Sequence, residues 1–462
     1  MRGPLMKKFL SEPYLLTLNP STEMNILWIQ SHPGDSYLEF GMTEELESSA
    51  IAECYEIKGL RGPLENGTYG EDPHDHPPIP VWQYIVKLNG LLPGQKVFYR
   101  VISGDDTTQV YSFHTAPKKG ESFRFGQLSD LQGLPRCNDS VYKIGCMDLD
   151  FLLFSGDMTY VSWKLGQWFD TGEPWQTEDD AKRSFFGCMQ QQNGAKLMQF
   201  MPTFICPGNH ELDDLRCRSV IDLSLLDSNW NWSIFMQLFR PLYKTDDTGL
   251  RGKRWYSVDY ADMHITSLSI NRHSFWSPET FPGWKLYDPI YPGSPQIQWL
   301  EQDLSHCDQK YKWVIQHFHI LNKGFDVQFN LCEPVIDQKN NVTYPHDHGG
   351  ALMDIYAQYG VNAVSFGHSH VYERYYHKGT HYIEAAYLSI CFRREGDKPH
   401  PSGILPITED YSEPSFITVE RNSEGLFATG YYVNDLRVFD RYQIADATGK
   451  TVAPPSILSK QA

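Results

Sequence analysis

Residues 151–160 read FLLFSGDMTY, and residues 202–211 read PTFICPGNHE. Each stretch contains an apolar run with the length and residue types of a buried strand, followed by Gly and then Asp or Asn. In an open α/β sheet, ligands bind at the carboxyl ends of the strands. The two stretches therefore predict neighbouring strand ends whose polar side chains share one crevice.

Four further stretches continue this pattern along the chain. FRFGQLSD (123–130), KWVIQH (312–317) and NAVSFGHSH (362–370) also end in metal-binding residue types, whereas HITSLSIN (264–271) carries no obvious ligand. Carboxylates, imidazoles, one amide and one phenol would meet at these strand ends, which predicts a metal site. The candidate metal ligands are Asp130, Asp157, Tyr160, Asn209, His317, His368 and His370.

Two metal ions fit these candidates better than one. Seven ligands exceed one tetrahedral site, and a carboxylate such as Asp157 can bridge two ions. His368 and His370 point the same way only if the backbone between them is extended, whereas a turn would divide them between two metals. Pairs of metals about 3.5–4 Å apart are the recurring device for hydrolysing phosphate esters.

A glycine stands before three of the ligand motifs, at Gly156, Gly208 and Gly367. Glycine at a strand-to-loop turn permits a sharp bend and a close approach of the backbone. We therefore expect these three glycines to shape the turns that carry the ligands.

Residues from about 10 to 117 predict short strands and little else. About seven such strands in about 100 residues, with turn signals between them, are typical of an immunoglobulin-like β-sandwich. Residues 116–120 predict a linker, so we expect one domain over residues 1–117 and a second over 118–462. The predicted N-terminal strands are 15–20, 24–31, 36–42, 50–57, 81–90, 96–104 and 110–116.

After residue 120, strand-like runs alternate with helical segments, which predicts an α/β domain. The clearest helix begins at Ser294, a typical N-cap residue, with Pro295 in the first turn. Its apolar face would consist of Ile297, Leu300 and Leu304.

Two more helices are predicted, one over residues 350–360 and one over about 177–200 within a long loop. We expect irregular loops over residues 163–200, 271–293 and 322–348, where substrate specificity would be determined. The final strands are predicted at 381–388, 415–421, 425–433 and 436–444.

The net charge of −17 argues against nucleic acid as a partner and disfavours anionic membrane surfaces. No stretch approaches the length of a transmembrane helix. The N-terminal residues include basic side chains but no adequate apolar run, so we expect no secretory signal peptide. The compartment and the oligomeric state stay open.

Nine cysteines are an odd number, and most lie in strand-like apolar context. We interpret them mainly as buried free thiols. Cys137 with Cys146 and Cys188 with Cys217 are possible pairs that spacing cannot establish.

The order D…GDxxY…GNHE…VxxH…GHxH is similar to that of the calcineurin-like metallophosphoesterases. Tyr160 in GDxxY, together with the preceding β-sandwich, resembles the plant-type purple acid phosphatases. Residues 90–101, 111–117 and 367–374 resemble further segments of that family. The resemblance implies an α/β (α+β) metallophosphoesterase β-sandwich with flanking helices, preceded by an all-β immunoglobulin or fibronectin III-like sandwich.

The resemblance also assigns roles by position. His210 would lie beside the metals, where it would contact phosphate or protonate the leaving oxygen. A ferric ion would be held by Asp130, Asp157, Tyr160 and His370. A divalent ion (zinc, iron or manganese) would be held by Asp157, Asn209, His317 and His368. Hard anionic oxygen ligands suit Fe(III), and imidazole and amide ligands suit the softer divalent ion.

The expected activity is that of an acid phosphatase, which hydrolyses small phosphate monoesters with a metal-bound hydroxide as nucleophile. One alternative is a phosphodiesterase or nucleotide hydrolase on the same metals. Another is a binding or adhesion module, in which the N-terminal sandwich would be the working part.

Two departures from the family pattern concern the surroundings of the metals. Gln132 stands where many relatives outside the purple group have a His ligand, which leaves room for Tyr160. The segment after His317 lacks the expected proline, and three histidines there are candidates for substrate contact. They are His319, His346 and His348. We expect Glu211 to support a ligand from behind and not to act on substrate.

Overall fold

A computed structural model describes most of the chain. The described residues are 8–70, 75–133, 137–172, 184–190, 194–212, 232–243, 253–270, 288–321, 332–336, 342–385, 404–410 and 412–455.

The N-terminal region forms two antiparallel sheets, with strand order β1-β2-β6-β5 in one and β4-β3-β7-β8 in the other, where β9 also pairs with β7. Between the sheets lies an apolar core in which Trp28 stacks on Tyr84 with ring centroids 5.7 Å apart. The strands are β1 Phe9–Leu16, β2 Glu23–Gln30, β3 Ser36–Gly41, β4 Ser48–Ile51, β5 Glu53–Ile57, β6 Val81–Asn89, β7 Lys96–Ser103, β8 Asp106–Thr107 and β9 Tyr111–His114.

The run at 50–57, predicted as one strand, is two strands in different sheets. β4 pairs with β3 and β5 pairs with β6, so the chain changes sheet at Ala52. The sequence does not reveal this change, because which strand each half pairs with is decided by distant parts of the chain. The β-rich character of the region is confirmed, whereas its immunoglobulin or fibronectin III type and the boundary at residue 117 stay predictions.

The rest of the chain contains two mixed sheets packed face to face, ordered β12-β11-β10-β22-β23-β24 and β13-β14-β15-β18-β20-β19-β21. Phe125 of the first sheet packs edge-on against Trp313 of the second, with centroids 5.1 Å apart. A separate two-stranded ribbon, β16-β17, lies within residues 322–348, so the expectation of a wholly irregular loop there is wrong.

The strands of this part are β10 Phe123–Leu128, β11 Phe151–Phe154, β12 Thr203–Ile205, β13 Tyr256–Tyr260, β14 Met263–Ser267, β15 Tyr311–Ile315, β16 Cys332–Ile336, β17 Val342–Asp347, β18 Ala363–Phe366, β19 Tyr372–His377, β20 Thr380–Ala385, β21 Thr408–Asp410, β22 Ser415–Asn422, β23 Gly425–Tyr432 and β24 Val438–Asp446. Together with the helices they form a two-sheet sandwich with flanking helices, as expected.

Helices flank this sandwich. Ile297, Leu300 and Leu304 of α7 (Pro295–His306) are buried, as predicted, in a core shared with α8 (His348–Gln358) and the seven-stranded sheet. Ser294 precedes α7, but its hydroxyl donates to the carbonyl of Pro289 instead of capping the helix. The helices are α1 Cys137–Gly145, α2 Leu165–Trp168, α3 Phe185–Met189, α4 Asn209–Leu212, α5 Trp232–Leu238, α6 Arg240–Tyr243, α7 Pro295–His306 and α8 His348–Gln358.

The predicted helix over about 177–200 is wrong in length. Within the described residues it is reduced to α3, and Gly194 adopts a left-handed φ of 90° that interrupts any continuation. The following chain instead bonds to the N-terminal sheets: the Met198 carbonyl accepts from Leu15 N at 3.1 Å. Of the predicted loop at 271–293, residues 271–287 lie outside the described part of the chain.

One apolar core joins the N-terminal sheet to the rest of the chain. It contains Leu16 and Ile57 from that sheet as well as Phe185 of α3 and Phe239 between α5 and α6. The Tyr14 hydroxyl donates to the carbonyl of Leu238 at 2.8 Å within this contact. Burial on both sides of the predicted linker therefore fixes the two regions against each other.

No disulfide joins Cys137 to Cys146. Cys217, the possible partner considered for Cys188, lies outside the described residues. Cys54 is exposed, contrary to the expectation of burial. In the described part of the chain, no helix is long and apolar enough to span a bilayer.

Ion pairs around the buried His264 tie α7 to the seven-stranded sheet. His264 Nδ1 lies 2.6 Å from Asp259 Oδ1, and its Nε2 lies 2.9 Å from Asp303 Oδ2. Burial alone would lower the pKa of His264, but hydrogen bonds to the two carboxylates and to Cys307 raise it to about 11. The imidazolium is therefore the folded form at neutral pH.

Replacing His264 by Gln should destabilise the protein by about 1–3 kcal/mol, because it removes the cation that is hydrogen-bonded to Asp259 and to the largely buried Asp303. Since the folded pKa of about 11 exceeds the ordinary 6.5, this stabilisation is complete below pH 6.5 and is lost as pH rises toward 11. Melting temperatures of wild type and His264→Gln should therefore converge between pH 7 and 10.

His381→Gln is the matched control. Burial lowers the pKa of His381 to about 4, so its contribution should not change above about pH 7. A constant difference in melting temperature between wild type and His264→Gln from pH 6 to 10 would contradict the ion pairs around His264.

Candidate metal centre

The predicted ligands follow strand ends of both packed sheets. Asp130, Asp157 and Asn209 lie after β10, β11 and β12 of the six-stranded sheet. His317 and His368 lie after β15 and β18 of the seven-stranded sheet. Because β10–β12 run parallel and β15 and β18 run parallel, their carboxyl ends gather at one edge of the sandwich.

Left-handed backbone is concentrated at this edge. Among the described residues, nine non-glycine residues have positive φ, and five of them lie in the ligand motifs. Such a conformation costs a non-glycine residue about 1–3 kcal/mol and typically persists at functional sites. The five are Asp130 (56°), Gln132 (46°), Asp157 (57°), His368 (83°) and His370 (55°).

The three glycines before the ligands are required mainly by space. A Cβ at Gly208 would lie 2.1 Å from Asp157 Oδ1, and one at Gly367 would lie 2.4 Å from Asp130 Oδ2. Gly156 is required both by its backbone conformation and by space: its φ is 85°, and a Cβ would lie 2.7 Å from backbone atoms of Gly208. The ligand turns therefore depend on glycine as expected, but through close approach more than through backbone freedom.

Four predicted ligands of the divalent ion lie together. Asn209 Oδ1 is 3.0 Å from His317 Nε2 and 2.8 Å from His368 Nδ1. His317 Nε2 is 3.2 Å from Asp157 Oδ2. Potential ligand atoms of Asp157, His317 and His368 all lie within 4.8 Å of one another. The polar atoms thus converge on a single point from four strand ends.

The orientation of His317 suits a metal ligand. Its Nδ1–H donates to the carbonyl of Ser155 at 2.7 Å, which leaves Nε2 directed at Asp157 and Asn209. Burial alone would lower the pKa of His317, but the charges of Asp157 and Asp130 raise it to about 10. The same negative field attracts a cation, which would replace that proton on Nε2.

His370 belongs to the other side of the site. Its Nε2 lies 3.3 Å from Asp130 Oδ1, whereas His368 Nδ1 points to Asn209. The positive φ at both histidines shows that the chain turns between them. Of the two geometries open from the sequence, the structure therefore has the turn that divides the pair.

Asp130 is fixed by its neighbours. Both carboxylate oxygens lie 3.0 Å from the backbone N–H of His368, and the Ser129 hydroxyl also donates to one of them. The Asp130 N–H donates to the Gly156 carbonyl at 3.0 Å, which joins the first two ligand turns.

Tyr160 lies at the rim of the site. Its side chain is 48% exposed, and its ring packs against that of His210 with centroids 4.9 Å apart. Its carbonyl accepts from His210 Nδ1 at 2.7 Å, and the His210 N–H donates to Asp157 Oδ1 at 2.9 Å. The role of Tyr160 as a metal ligand stays a prediction.

Glu211 holds two ligand turns together. Its buried carboxylate accepts the backbone N–H groups of Asp157, Met158 and Gly208 at 2.8 Å, and that of Thr159 at 3.2 Å. Burial, and to a smaller extent repulsion from Asp157, raises the pKa of Glu211 to about 8, although the hydrogen bonds from these backbone donors lower it. The prediction that Glu211 supports a ligand agrees with these contacts.

A second buried glutamate was missed. Glu384 Oε1 accepts the backbone N–H of Ser369 at 2.7 Å, between His368 and His370. Its position in β20, a charged residue in a strand buried throughout, was the available signal. Glu211 and Glu384 therefore play the same part under different ligand turns.

The three histidines considered for substrate contact lie in different places. His319 is fully buried beside the Gly367 carbonyl, with its Nδ1 3.4 Å from that oxygen, and it packs against the His368 ring. His348 is buried at the start of α8. His346 belongs to β17, but its side chain lies outside the described residues.

The chemistry of these residues fits bound cations. The carboxylates of Asp130, Asp157 and Glu211 are all at most 1% exposed and lie near one another, and buried charges are normally paired or coordinate metals. Burial alone would raise the pKa of Asp157, but the charges of His317, His210 and His368 bring it well below its ordinary value. Ionised oxygen and imidazole ligands suit a cation-binding site.

The family model for calcineurin-like phosphoesterases matches residues 123–372. The chain is 23% identical over 287 residues to probable purple acid phosphatase 20 of Arabidopsis thaliana, covering 62% of this chain and 54% of that protein. It is 23% identical over 344 residues to Fe(3+)-Zn(2+) purple acid phosphatase 12 of the same plant, covering 72% and 57%. The matched region thus spans a little over half the length of these relatives.

The fold is also that of a solved purple acid phosphatase. Purple acid phosphatase PPD1 from yellow lupin (Lupinus luteus) seeds superposes with a TM-score of 0.62 at 15% identity, covering 93% of this chain and 73% of that one. This similarity confirms the fold expected from the ordered motifs.

Gln132 offers a direct test of the site. Its Nε2 donates to Asp157 Oδ2 at 2.6 Å, and Gln132→Met removes this donor at similar size. Loss of a hydrogen bond behind a metal ligand typically weakens metal binding about 10–100-fold. Equilibrium dialysis should show that weakening.

Gln83→Met is the control. It removes a buried amide of the N-terminal region that donates to the Tyr14 hydroxyl and to the Leu238 carbonyl of α5, and it should leave metal affinity unchanged. Equal metal affinity in Gln132→Met and wild type would show that this amide does not orient Asp157.

Proposed function

The chain belongs to the calcineurin-like phosphoesterase family, and we propose that it is an acid phosphatase of the purple type that hydrolyses phosphate monoesters. The observation that supports this most is the convergence of Asp157, Asn209, His317 and His368 at the strand ends, beside the pair formed by Asp130 and His370. Two adjacent ligand groups around buried carboxylates suit a dinuclear centre for phosphoester hydrolysis.

Two ions would divide the ligands as the family resemblance implies, with Asp157 shared. When bound, they would supply a water of lowered pKa as nucleophile and positive charge for the phosphoryl oxygens. The chain contributes the orientation of the ligands: the Ser155 carbonyl sets the His317 ring, and Glu211 sets the turn of Asp157.

We assign to His210 the role of acting on the substrate. Its Nδ1–H is engaged by the Tyr160 carbonyl, so Nε2, 3.7 Å from Asp157 Oδ2, is the nitrogen directed at the ligand group. A protonated Nε2 can donate to a phosphoryl oxygen or transfer its proton to the leaving alkoxide. Fixing one nitrogen on a backbone carbonyl leaves the other available for this transfer.

The net negative charge of the chain favours some phosphate esters as substrates over others. With a net charge of −17, the protein repels long polyanions, which favours small phosphate esters over nucleic acid. Metal cations would make the field locally attractive to one phosphate group. We therefore propose small-molecule phosphate monoesters as substrates.

His317→Ala removes one of the converging imidazoles. The rate of nitrophenyl phosphate hydrolysis should fall by more than about 100-fold. Loss of a residue that only supports a metal ligand typically costs about 10–100-fold, and His317 is proposed as a ligand itself. The assay is the steady-state rate at acidic pH, with His306→Ala, an exposed histidine at the end of α7, as the matched control. Undiminished activity in His317→Ala would overturn the proposed function.

The same assay separates the proposed reaction from its alternative. A monophosphatase should hydrolyse nitrophenyl phosphate faster than bis(nitrophenyl) phosphate. The opposite order would replace the proposal with the phosphodiesterase or nucleotide hydrolase expected as the alternative.

We assign the proposed metals as Fe(III) and a divalent zinc, iron or manganese ion. The name of one relative, Fe(3+)-Zn(2+) purple acid phosphatase 12, supports this choice, as does the Tyr in the second ligand motif. Hard anionic oxygen ligands such as carboxylate and phenolate favour Fe(III).

The purified protein should therefore show a visible tyrosinate-to-iron absorption band. Tyr160→Phe should remove the band and leave most of the metal bound, since three other ligands of that ion persist. A colourless wild-type protein that contains two zinc or manganese ions would contradict the iron assignment alone.

A further inference from the structure

Part of the N-terminal region reaches the chain that follows Tyr160. Residues 58–70 and 75–80, between β5 and β6, form what we term the bridging segment. In it, the Arg61 N–H donates to the Trp163 carbonyl at 2.8 Å, and the Leu165 N–H donates to the Arg61 carbonyl at 3.0 Å. These backbone bonds join the bridging segment to the loop between β11 and α2.

Trp163 is buried by this contact. Its side chain is 2% exposed although it lies in a loop, and its ring centroid is 5.1 Å from that of His76 and 5.7 Å from that of Tyr69. The Lys164 ammonium lies 5.2 Å from the Tyr69 ring centroid. Large buried aromatic rings stabilise such contacts strongly and in defined geometry.

His76 is held rigidly within the bridging segment. Its Nδ1–H donates to the Gly62 carbonyl at 3.0 Å, and its Nε2 accepts the Gly70 N–H at 3.0 Å. Both ring nitrogens are thus engaged and the side chain is 2% exposed, which fixes the orientation of the ring. The ring forms a fixed surface against Trp163.

The loop that carries Trp163 ends at the metal centre. The Tyr160 N–H donates to Gln167 Oε1 at 3.0 Å, and Trp168 Nε1 donates to the Ser162 carbonyl at 2.6 Å. The Tyr160 carbonyl in turn accepts from His210 Nδ1 at 2.7 Å. These bonds close the loop on itself and connect the Trp163 region to the carbonyl that accepts from His210.

We propose that His76 and Trp163 are positioning residues of the active site, through which the N-terminal region fixes the orientation of Tyr160 and His210. The inference rests on the proposed phosphatase activity and deepens it. A small displacement of a proton donor from its productive geometry can cost about 100-fold in rate, even when the altered residue is far from the chemistry.

His76→Ala tests the proposal in the full-length, metal-loaded protein. We expect kcat for nitrophenyl phosphate to fall about 10–100-fold, with little change in KM and with wild-type metal content. His76→Gln keeps one donor and one acceptor for Gly62 and Gly70 and should restore most of kcat. If the alanine variant is insoluble, Trp163→Phe provides the same comparison.

Tyr84→Phe is the matched control. It also removes two hydrogen bonds to backbone, both to Gly34 (2.8 and 2.9 Å), but within the N-terminal core and away from the bridging segment. It should lower the melting temperature without changing kcat.

The results separate the two proposals. An unchanged kcat in His76→Ala, with a melting temperature lowered as in Tyr84→Phe, would overturn the positioning role and leave the proposed phosphatase intact. A wild-type protein that binds metal but hydrolyses no phosphate ester would overturn both.

Discussion

The buried carboxylate of Asp157 is the constraint around which the site is built. A carboxylate with 1% exposure is stable only when cations and hydrogen-bond donors surround it. Its oxygens contact Gln132 Nε2, the His210 N–H and His317, while its own N–H is held by Glu211. Four strand ends are thereby drawn together, which also explains why the turns tolerate left-handed backbone at a cost in stability.

Much of this centre could be predicted because its ligands lie directly after apolar strands. The strand ends, the glycines before them and the helix face of α7 all follow from local pattern. The partners of the ligand turns do not, since Glu384 reaches Ser369 and Ser155 reaches His317 only through tertiary folding. The change of sheet at Ala52 was missed for the same reason: it is decided by pairing with distant strands.

The N-terminal region is more than a neighbour of the metal-binding sandwich. A continuous core joins Leu16 of β1 to Phe185 of α3, and the bridging segment continues that contact to Trp163. In this arrangement the backbone that orients His210 depends on residues far earlier in the chain. Family membership alone would not show such a dependence, because it lies in contacts between separate parts of the sequence.

Metal content tests the shared role of Asp157 most directly. The purified protein should contain about two metal ions per chain by mass spectrometry, as a dinuclear centre requires. Asp157→Asn keeps an acceptor for the His210 N–H but removes the charge, so it should lower the content to about one ion or fewer. Fewer than about one ion in wild type, or an unchanged content in Asp157→Asn, would contradict a dinuclear centre built on this carboxylate.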